Sequence, residues 1–136
     1  MTHTEYLFFN TRERIEFIRI TEMINEIVGK SGLKSGLVLI NPAHITAAVI
    51  VNDDEPGLKK DFLRLLRRLA PENDSYDHNL TGEDNAYAHL WRTMLGHQAV
   101  MPFTDGRLDL GPWEQIFYLE LDGRRKKKVT VKLVGE

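Results

Sequence analysis

The segment GLVLINPAHITAAVIVN, residues 36–52, contains two apolar runs and the short connection between them. The runs Gly36–Asn41 and Thr46–Asn52 are almost continuously apolar, which is typical of strands that are covered on both faces. Only residues 42–45 separate the two runs. We therefore predict two buried strands joined by a tight connection that carries His44.

Five further strands are predicted outside this segment, because short apolar or alternating runs are bounded by turn residues. They are Tyr6–Phe9, Arg14–Ile20, Ala99–Phe103, Trp113–Leu121 and Lys127–Val134. Capping residues and apolar stripes at helical spacing predict about three helices. These run from Thr21 to the glycines at 29 and 32, from Pro56 to Leu69, and from Glu83 to Leu95. This order predicts a single α+β domain, residues 1–136, with a largely antiparallel sheet.

The pair Asp122-Gly123 lies between the last two strands and is a strong signal for a two-residue hairpin turn. In that register Glu120 faces Arg125, and large apolar side chains fall on both faces of the hairpin. A chain of this size with three helices covers such a hairpin poorly. The pattern therefore predicts that part of this surface is buried against another subunit.

The composition argues against several classes of protein. Eighteen Lys and Arg against 20 Asp and Glu give a net charge of −2, so we expect no nucleic-acid partner. No apolar run reaches the roughly 20 residues of a membrane helix, and we expect a cytoplasmic protein with no membrane partner. Because cysteine is absent, any metal ion is held by nitrogen and oxygen ligands.

Three histidines are candidate metal ligands: His44 in the connection, His78 in a polar loop, and His89 on the inward face of the third helix. Three neutral imidazoles with one open position suit a catalytic zinc or a similar divalent ion. Their spacing matches no local metal motif. The alternative is that each histidine hydrogen-bonds a loop or packs in the core.

Two carboxylates and one arginine are candidates for catalysis. Asp53 follows a buried strand, where ligand groups often gather, although the sequence alone favours capping of the next helix as its role. Asp61 flanks the apolar stripe of the second helix and is expected to be partly buried, with an ion pair to Arg64 or Arg68 as the alternative. Arg125 either pairs with Glu120 across the hairpin or anchors a substrate phosphate.

Several motifs occur in a fixed order along the chain. They are PAHITAA at 42–48, VND at 51–53, YDHN at 76–79, NAYAHL at 85–90, and GRLDLGPW at 106–113 with ELDG at 120–123. Together they resemble the YjbQ-like family nearly from end to end. The resemblance implies a small α+β protein that assembles as a homotrimer, with a metal-binding cleft lined by histidines.

The resemblance also implies an activity. Some family members act as a secondary thiamine-phosphate synthase, which joins a pyrimidine diphosphate to a thiazole phosphate and releases pyrophosphate. The metal ligands carried over are His44, His78 and His89, for a divalent ion, zinc or alternatively magnesium. The groups implied to contact the phosphorylated substrate are Thr46, Asn52, Asn85 and Trp113. Arg125 would stabilise the negative charge of the leaving group.

This chain departs from the family pattern at four positions. Ile45 replaces a threonine, Asp53 a glutamate, Glu114 a glutamine and Arg124 a proline. Two other functions therefore stay open. One is a metal-dependent phosphoester hydrolase with Asp53 or Asp61 as the base that activates water, and the other is a non-catalytic protein that binds metal or ligand.

Overall fold

The computed structural model describes residues 1–136 and divides eight strands between two antiparallel sheets. The strands are β1 (Thr2–Phe9), β2 (Glu16–Arg19), β3 (Gly36–Pro42), β4 (Ala47–Asn52), β5 (Ala99–Thr104), β6 (Arg107–Leu108), β7 (Gln115–Glu120) and β8 (Lys127–Gly135). The larger sheet has the order β1-β8-β3-β5-β6, and the smaller sheet has the order β2-β7-β4. The helices are α1 (Thr21–Ser31), α2 (Pro56–Leu69) and α3 (Ala86–Leu95), with a short 3₁₀ helix at Asp77–Thr81. The predicted α+β class with three helices and antiparallel pairing is confirmed.

The two sheets pack face to face around the main core. Val38 and Val131 from the larger sheet and Val49 and Tyr118 from the smaller sheet belong to it. A second core lies on the other face of the smaller sheet, where Phe117 and its neighbours pack against α2 and α3. Strand β7 is therefore buried on both faces, which explains its apolar sequence.

The predicted hairpin at Asp122-Gly123 is wrong, because β7 and β8 belong to different sheets. The chain crosses between the sheets at this point and passes close to residues 13 and 14, and the Gly123 N–H donates to the Arg14 carbonyl at 3.0 Å. A side chain at Gly123 would collide with the Glu13 carbonyl. Both faces of β7 are covered within one chain, so the hairpin gives no argument for a second subunit.

The third helix buries a different face from the one predicted. Tyr87, Ala88 and Trp91 are buried, while His89 lies at the boundary with solvent. The two aromatic residues bury more apolar area, and their polar atoms are satisfied because the Tyr87 hydroxyl and Trp91 Nε1 donate to backbone carbonyls. None of the three helices has the length and apolar character that a membrane crossing requires.

Candidate functional site

The connection between β3 and β4 is held in place by α3. Arg92 Nε donates to the carbonyl of Ala47 at 2.9 Å, and its NH2 group donates to the carbonyl of Pro42 at 3.2 Å. One guanidinium thus holds both ends of the connection, because its donors are fixed in a rigid fork. His44, half-buried in the middle of this connection, is presented from a supported loop.

His44 is hydrogen-bonded to Thr46 in two ways. The Thr46 backbone N–H donates to His44 Nδ1 at 3.2 Å, and Thr46 Oγ1 lies 3.0 Å from the same nitrogen. Burial lowers the pKa of His44, and the positive charges of Lys127 and Arg125 lower it further. Since Thr46 is 1% exposed, its hydroxyl serves His44 and does not face a substrate.

A buried ion pair lies directly behind this loop. Lys127 on β8 and Glu120 on β7 are both inaccessible to solvent and form a salt bridge between the two sheets. Lys127 Nζ also donates to Thr46 Oγ1 at 2.8 Å and to the carbonyl of Asp122 at 2.9 Å. Glu120 accepts in addition from the Tyr118 hydroxyl at 3.0 Å. The predicted pairing of Glu120 with Arg125 is therefore wrong, because Lys127 takes that place.

Asp122 is a buried anion at the centre of the site. Its carboxylate accepts from Arg14 Nε at 3.1 Å, from Arg124 Nε at 3.0 Å and from Asn85 Nδ2 at 3.0 Å. Burial alone would raise the pKa of Asp122, but hydrogen bonds from Arg124 and Asn85 lower it to about 2. The carboxylate is thus ionised at neutral pH and fixes the groups around it.

The structure brings His78 and His89 together. Their ring centroids are 4.6 Å apart in an edge-to-face arrangement, and both rings line an open depression of about 380 Å³ between the 3₁₀ helix and α3. His78 Nε2 lies 3.2 Å from Asn85 Oδ1. Because the Asn85 amide nitrogen faces Asp122, its oxygen faces the histidine, and His78 Nε2 is the donor.

The two arginines after Gly123 differ in their freedom. Arg124 is engaged by Asp84 and Asp122. Arg125 is 47% exposed, and its only carboxylate neighbour is Asp122 at 4.0 Å. Arg124 is exposed to the same degree, so the two arginines differ in their partners: Arg125 is the one without a close carboxylate.

Asn52, Asp53 and Trp113 lie at the other end of the smaller sheet. In the pairing of β4 with β7, Asn52 is opposite Gln115 whereas Ala47 is opposite Glu120, so the two ends are separated by roughly 16 Å at about 3.3 Å per residue. Trp113 is 74% exposed. The cavity beside Asn52 and Asp53 measures about 20 Å³, enough for about one water molecule, but Asn52 also lines an open depression of about 410 Å³ together with residues of β5.

Asp61 belongs neither to the residues around Asp122 nor to the set formed by Asn52, Asp53 and Trp113. Its side chain is 63% exposed on α2 and pairs with Arg64 at 3.1 Å. The expectation of partial burial is wrong, because α2 turns Leu66 toward the sheet and leaves Leu65 and Asp61 in solvent. The ion pair with Arg64 is the observed arrangement.

Lys127, Glu120 and Asp122 are the residues of the site that the sequence prediction missed. A signal was present: Glu120 interrupts an apolar strand, and alternation along β8 turns Lys127 to the same side as Val129 and Val131. Buried charges are rare unless they are paired. Neither residue reveals its partner in the sequence, because the two strands belong to different sheets.

Of the three candidate metal ligands, only His78 and His89 are adjacent to each other. No group of three or more His, Asp or Glu side chains in the chain is close enough to hold a metal ion. His78 has the arrangement of a ligand, since its Nε2–H is oriented by Asn85 and Asp122, which in the neutral ring leaves the lone pair on Nδ1. His78 and the adjacent His89 thus form a pair of possible ligands, and His44 does not complete a group of three with them.

The fold and the site define a small α+β protein whose polar site lies where two antiparallel sheets meet the third helix. The chain belongs to the UPF0047 family, because the family model described as UPF0047 protein YjbQ-like matches residues 5–136. The predicted family resemblance is therefore confirmed.

Relatives and solved structures agree with this membership over nearly the whole chain. A UPF0047 protein of Archaeoglobus fulgidus is 39% identical over 126 residues, which cover 93% of this chain and 97% of that protein. A YbjQ-like protein of unknown function from Sulfolobus solfataricus P2 matches with a TM-score of 0.95 and 39% identity, covering 100% of this chain and 99% of that one. A hypothetical protein from Aeropyrum pernix K1 matches with a TM-score of 0.91 and 35% identity, covering 98% and 99%.

Proposed function

We propose that the chain binds a phosphorylated small molecule beside His44 and Arg125 and acts as a transferase of the thiamine-phosphate synthase type. The observation that carries the proposal is the exposed Arg125 guanidinium, which lies 4.0 Å from the buried Asp122 carboxylate. The lowered pKa of His44, due to burial and to the charges of Lys127 and Arg125, is consistent with it. Asp122 also orients Asn85 and, through it, His78. An arginine and histidines on a rigid buried support suit the recognition of a diphosphate.

The reaction needs little proton chemistry. The bond between the pyrimidine methylene carbon and the diphosphate oxygen breaks, the electron pair leaves with the diphosphate, and a ring nitrogen of the thiazole phosphate forms the new bond to carbon. Arg125 would stabilise the charge that develops on the leaving oxygens. A divalent ion, zinc or magnesium, held by His78 and His89 would add further neutralisation of that charge. Thr46 hydrogen-bonds His44 and Asn85 hydrogen-bonds His78, which fixes the orientation of the two rings.

Product analysis tests the proposal. Metal-supplemented protein is incubated with the pyrimidine diphosphate and the thiazole phosphate, and the products are identified by mass spectrometry. We expect thiamine phosphate and pyrophosphate in equal amounts, and a loss of at least tenfold for Arg125→Ala. Orthophosphate without thiamine phosphate would favour a hydrolase, although Asp53 and Asp61 lie away from His78. No product of either kind would favour a binding protein.

Two of the departures from the family pattern provide matched variants. Ile45 is 60% exposed next to His44, and the carboxylate of Glu114 accepts from the backbone N–H of Gly111 at 2.8 Å. Ile45→Thr restores a hydroxyl beside His44, whereas Glu114→Gln removes a charge at the other end of the smaller sheet, where it acts only weakly on a ligand at His44. Faster thiamine phosphate formation by Ile45→Thr, with Glu114→Gln unchanged as the control, would indicate that this chain prefers a different substrate.

We also propose a homotrimer, which is supported by the outer face of the larger sheet. Neither helices nor the smaller sheet cover this face, and its apolar side chains are more than half exposed: Tyr6, Phe8, Leu37, Val100 and Val134. An uncovered apolar face of this kind marks an interface. Light scattering after size-exclusion chromatography is expected to give three times the chain mass of 15.7 kDa, and a monomer at micromolar concentration would contradict the trimer.

A further inference from the structure

We infer that His44 presents a protonated Nε2 to a phosphate group of the ligand, and that Lys127 holds the ring in this form by acting through Thr46. His44 is then a hydrogen-bond donor and not a third metal ligand. The chemical class of the ligand rests on the proposed function, whereas the position of the proton on the ring does not. Lys127 and Thr46 are positioning residues in this scheme.

The position of the proton follows from the hydrogen bonds of Nδ1. A backbone N–H can only donate, so the contact from Thr46 N at 3.2 Å makes Nδ1 an acceptor. An imidazole ring that accepts at Nδ1 is neutral and carries its single proton on Nε2. Nδ1 has used its lone pair and Nε2 has none, so neither nitrogen of His44 is available to a metal ion.

Lys127 reinforces this arrangement from the core. Its ammonium has donors only, so Thr46 Oγ1 at 2.8 Å accepts from it. The Thr46 hydroxyl then directs its own proton to His44 Nδ1 at 3.0 Å. Glu120 and the carbonyl of Asp122 also bind the ammonium and fix its position. Lys127 therefore donates to Thr46, and Thr46 in turn donates to His44.

His44 and His78 are thus oriented in opposite ways. His78 donates from Nε2 to Asn85 and keeps a lone pair at Nδ1, which is the arrangement of metal-ligating histidines. His44 accepts at Nδ1 and keeps a donor at Nε2. A donor on a half-buried ring suits the oxygen atoms of a phosphate group. The exposed positive charge of Arg125, which contributes to the lowered pKa of His44, would attract the same group.

Nitrogen-15 NMR of the histidine side chains tests the position of the proton without any substrate. We expect His44 Nδ1 to resonate as an unprotonated nitrogen and His44 Nε2 as a protonated one. Titration with zinc alone should shift His78 and His89 and leave both His44 nitrogens unchanged. A protonated Nδ1, or a zinc-induced shift at His44, would overturn the inference. A lack of any zinc response would instead count against the proposed metal site.

Two substitutions at Thr46 test the role of the hydroxyl. Thr46→Val keeps the shape and the backbone N–H but removes the hydroxyl, so Nδ1 retains only the longer of its two hydrogen bonds, at 3.2 Å. The His44 Nδ1 resonance should then move partway toward that of a ring with mixed proton positions. Thr46→Ser keeps the hydroxyl and should leave the resonance in place. If Thr46→Val has no effect on this resonance in the folded protein, Lys127 does not act on His44 through Thr46.

Two substitutions at His44 test the donor. The amide nitrogen of glutamine reaches the position of Nε2, whereas the amide of asparagine reaches only that of Nδ1. Affinity for inorganic pyrophosphate with magnesium, measured by calorimetry, should stay within about threefold in His44→Gln and fall roughly ten- to a hundredfold in His44→Asn, the range for one hydrogen bond to a charged group. Equal losses in both variants would overturn the donor role. No binding by the wild type would refute the proposed function, and the NMR result would still decide the position of the proton.

Discussion

Replacement of Lys127 by methionine is expected to remove a large part of the stability of the fold. Lys127 is 1% exposed and Glu120 is fully buried, so Lys127→Met leaves a carboxylate without a counter-charge in the core. Breaking a buried pair in this way costs about 3–5 kcal/mol. A domain of this size has a free energy of unfolding of about 5–15 kcal/mol in total, so the loss is at least about a fifth of that free energy.

The double variant Lys127→Met/Glu120→Gln separates the charge from the packing. Glutamine still accepts from the Tyr118 hydroxyl but carries no charge, so we expect the double variant to recover at least about 2 kcal/mol relative to Lys127→Met. Urea unfolding monitored by circular dichroism, at one fixed protein concentration, measures all three free energies. A loss below about 1 kcal/mol in the single variant, or no recovery in the double variant, would refute the reasoning.

Two further predictions concern Asp122 and the histidine pair. The pKa of Asp122 is lowered to about 2 in the fold, so its contribution of about 2 kcal/mol is present above the ordinary pKa near 4 and is lost as the pH falls toward 2. Urea unfolding of Asp122→Asn should therefore show a weaker loss of stability across that window, and an acid profile identical to that of the wild type would contradict this. Zinc binding, measured by calorimetry, should weaken at least tenfold in His78→Ala and in His89→Ala. It should stay unchanged in His97→Ala, a control at the residue after Gly96, which ends α3. Full zinc affinity in both of the first two variants would exclude them as ligands.

The elements of this fold were predictable where local sequence determines them. The two apolar runs at 36–52 form β3 and β4 within a residue or two of the expected bounds. Proline at the first turn and the Glu55 side chain, which accepts from the N–H groups of Gly57 and Leu58, start α2 where expected. These signals act over a few residues and need no tertiary information.

The errors arose where distant parts of the chain meet. Asp122-Gly123 has the composition of a hairpin, but its glycine is required by the close approach of Glu13, which is more than a hundred residues away. Likewise both faces of α3 are moderately apolar, and only the packing of Tyr87 and Trp91 decides which one is buried. Periodicity cannot choose between two such faces.

The sequence indicated some of the residues of the candidate site, but not how they are positioned relative to one another. The sequence singled out His78 and Arg125, and the structure links both to Asp122, His78 through Asn85 and Arg125 directly at 4.0 Å. Asp53 and Asp61 are elsewhere in the chain. The charges that support the site, Lys127 and Glu120, belong to different sheets, so no spacing in the sequence links them.

The location of the ligand site is tested most directly by mapping the chemical shifts of the protein as inorganic pyrophosphate is added in the presence of magnesium. We expect the largest shifts at His44, Arg125 and His78, with residues 52, 53 and 113 at the other end of the smaller sheet unaffected. Shifts confined to that other end, or no shifts at millimolar pyrophosphate, would contradict the assignment of the ligand site to the surface around Asp122.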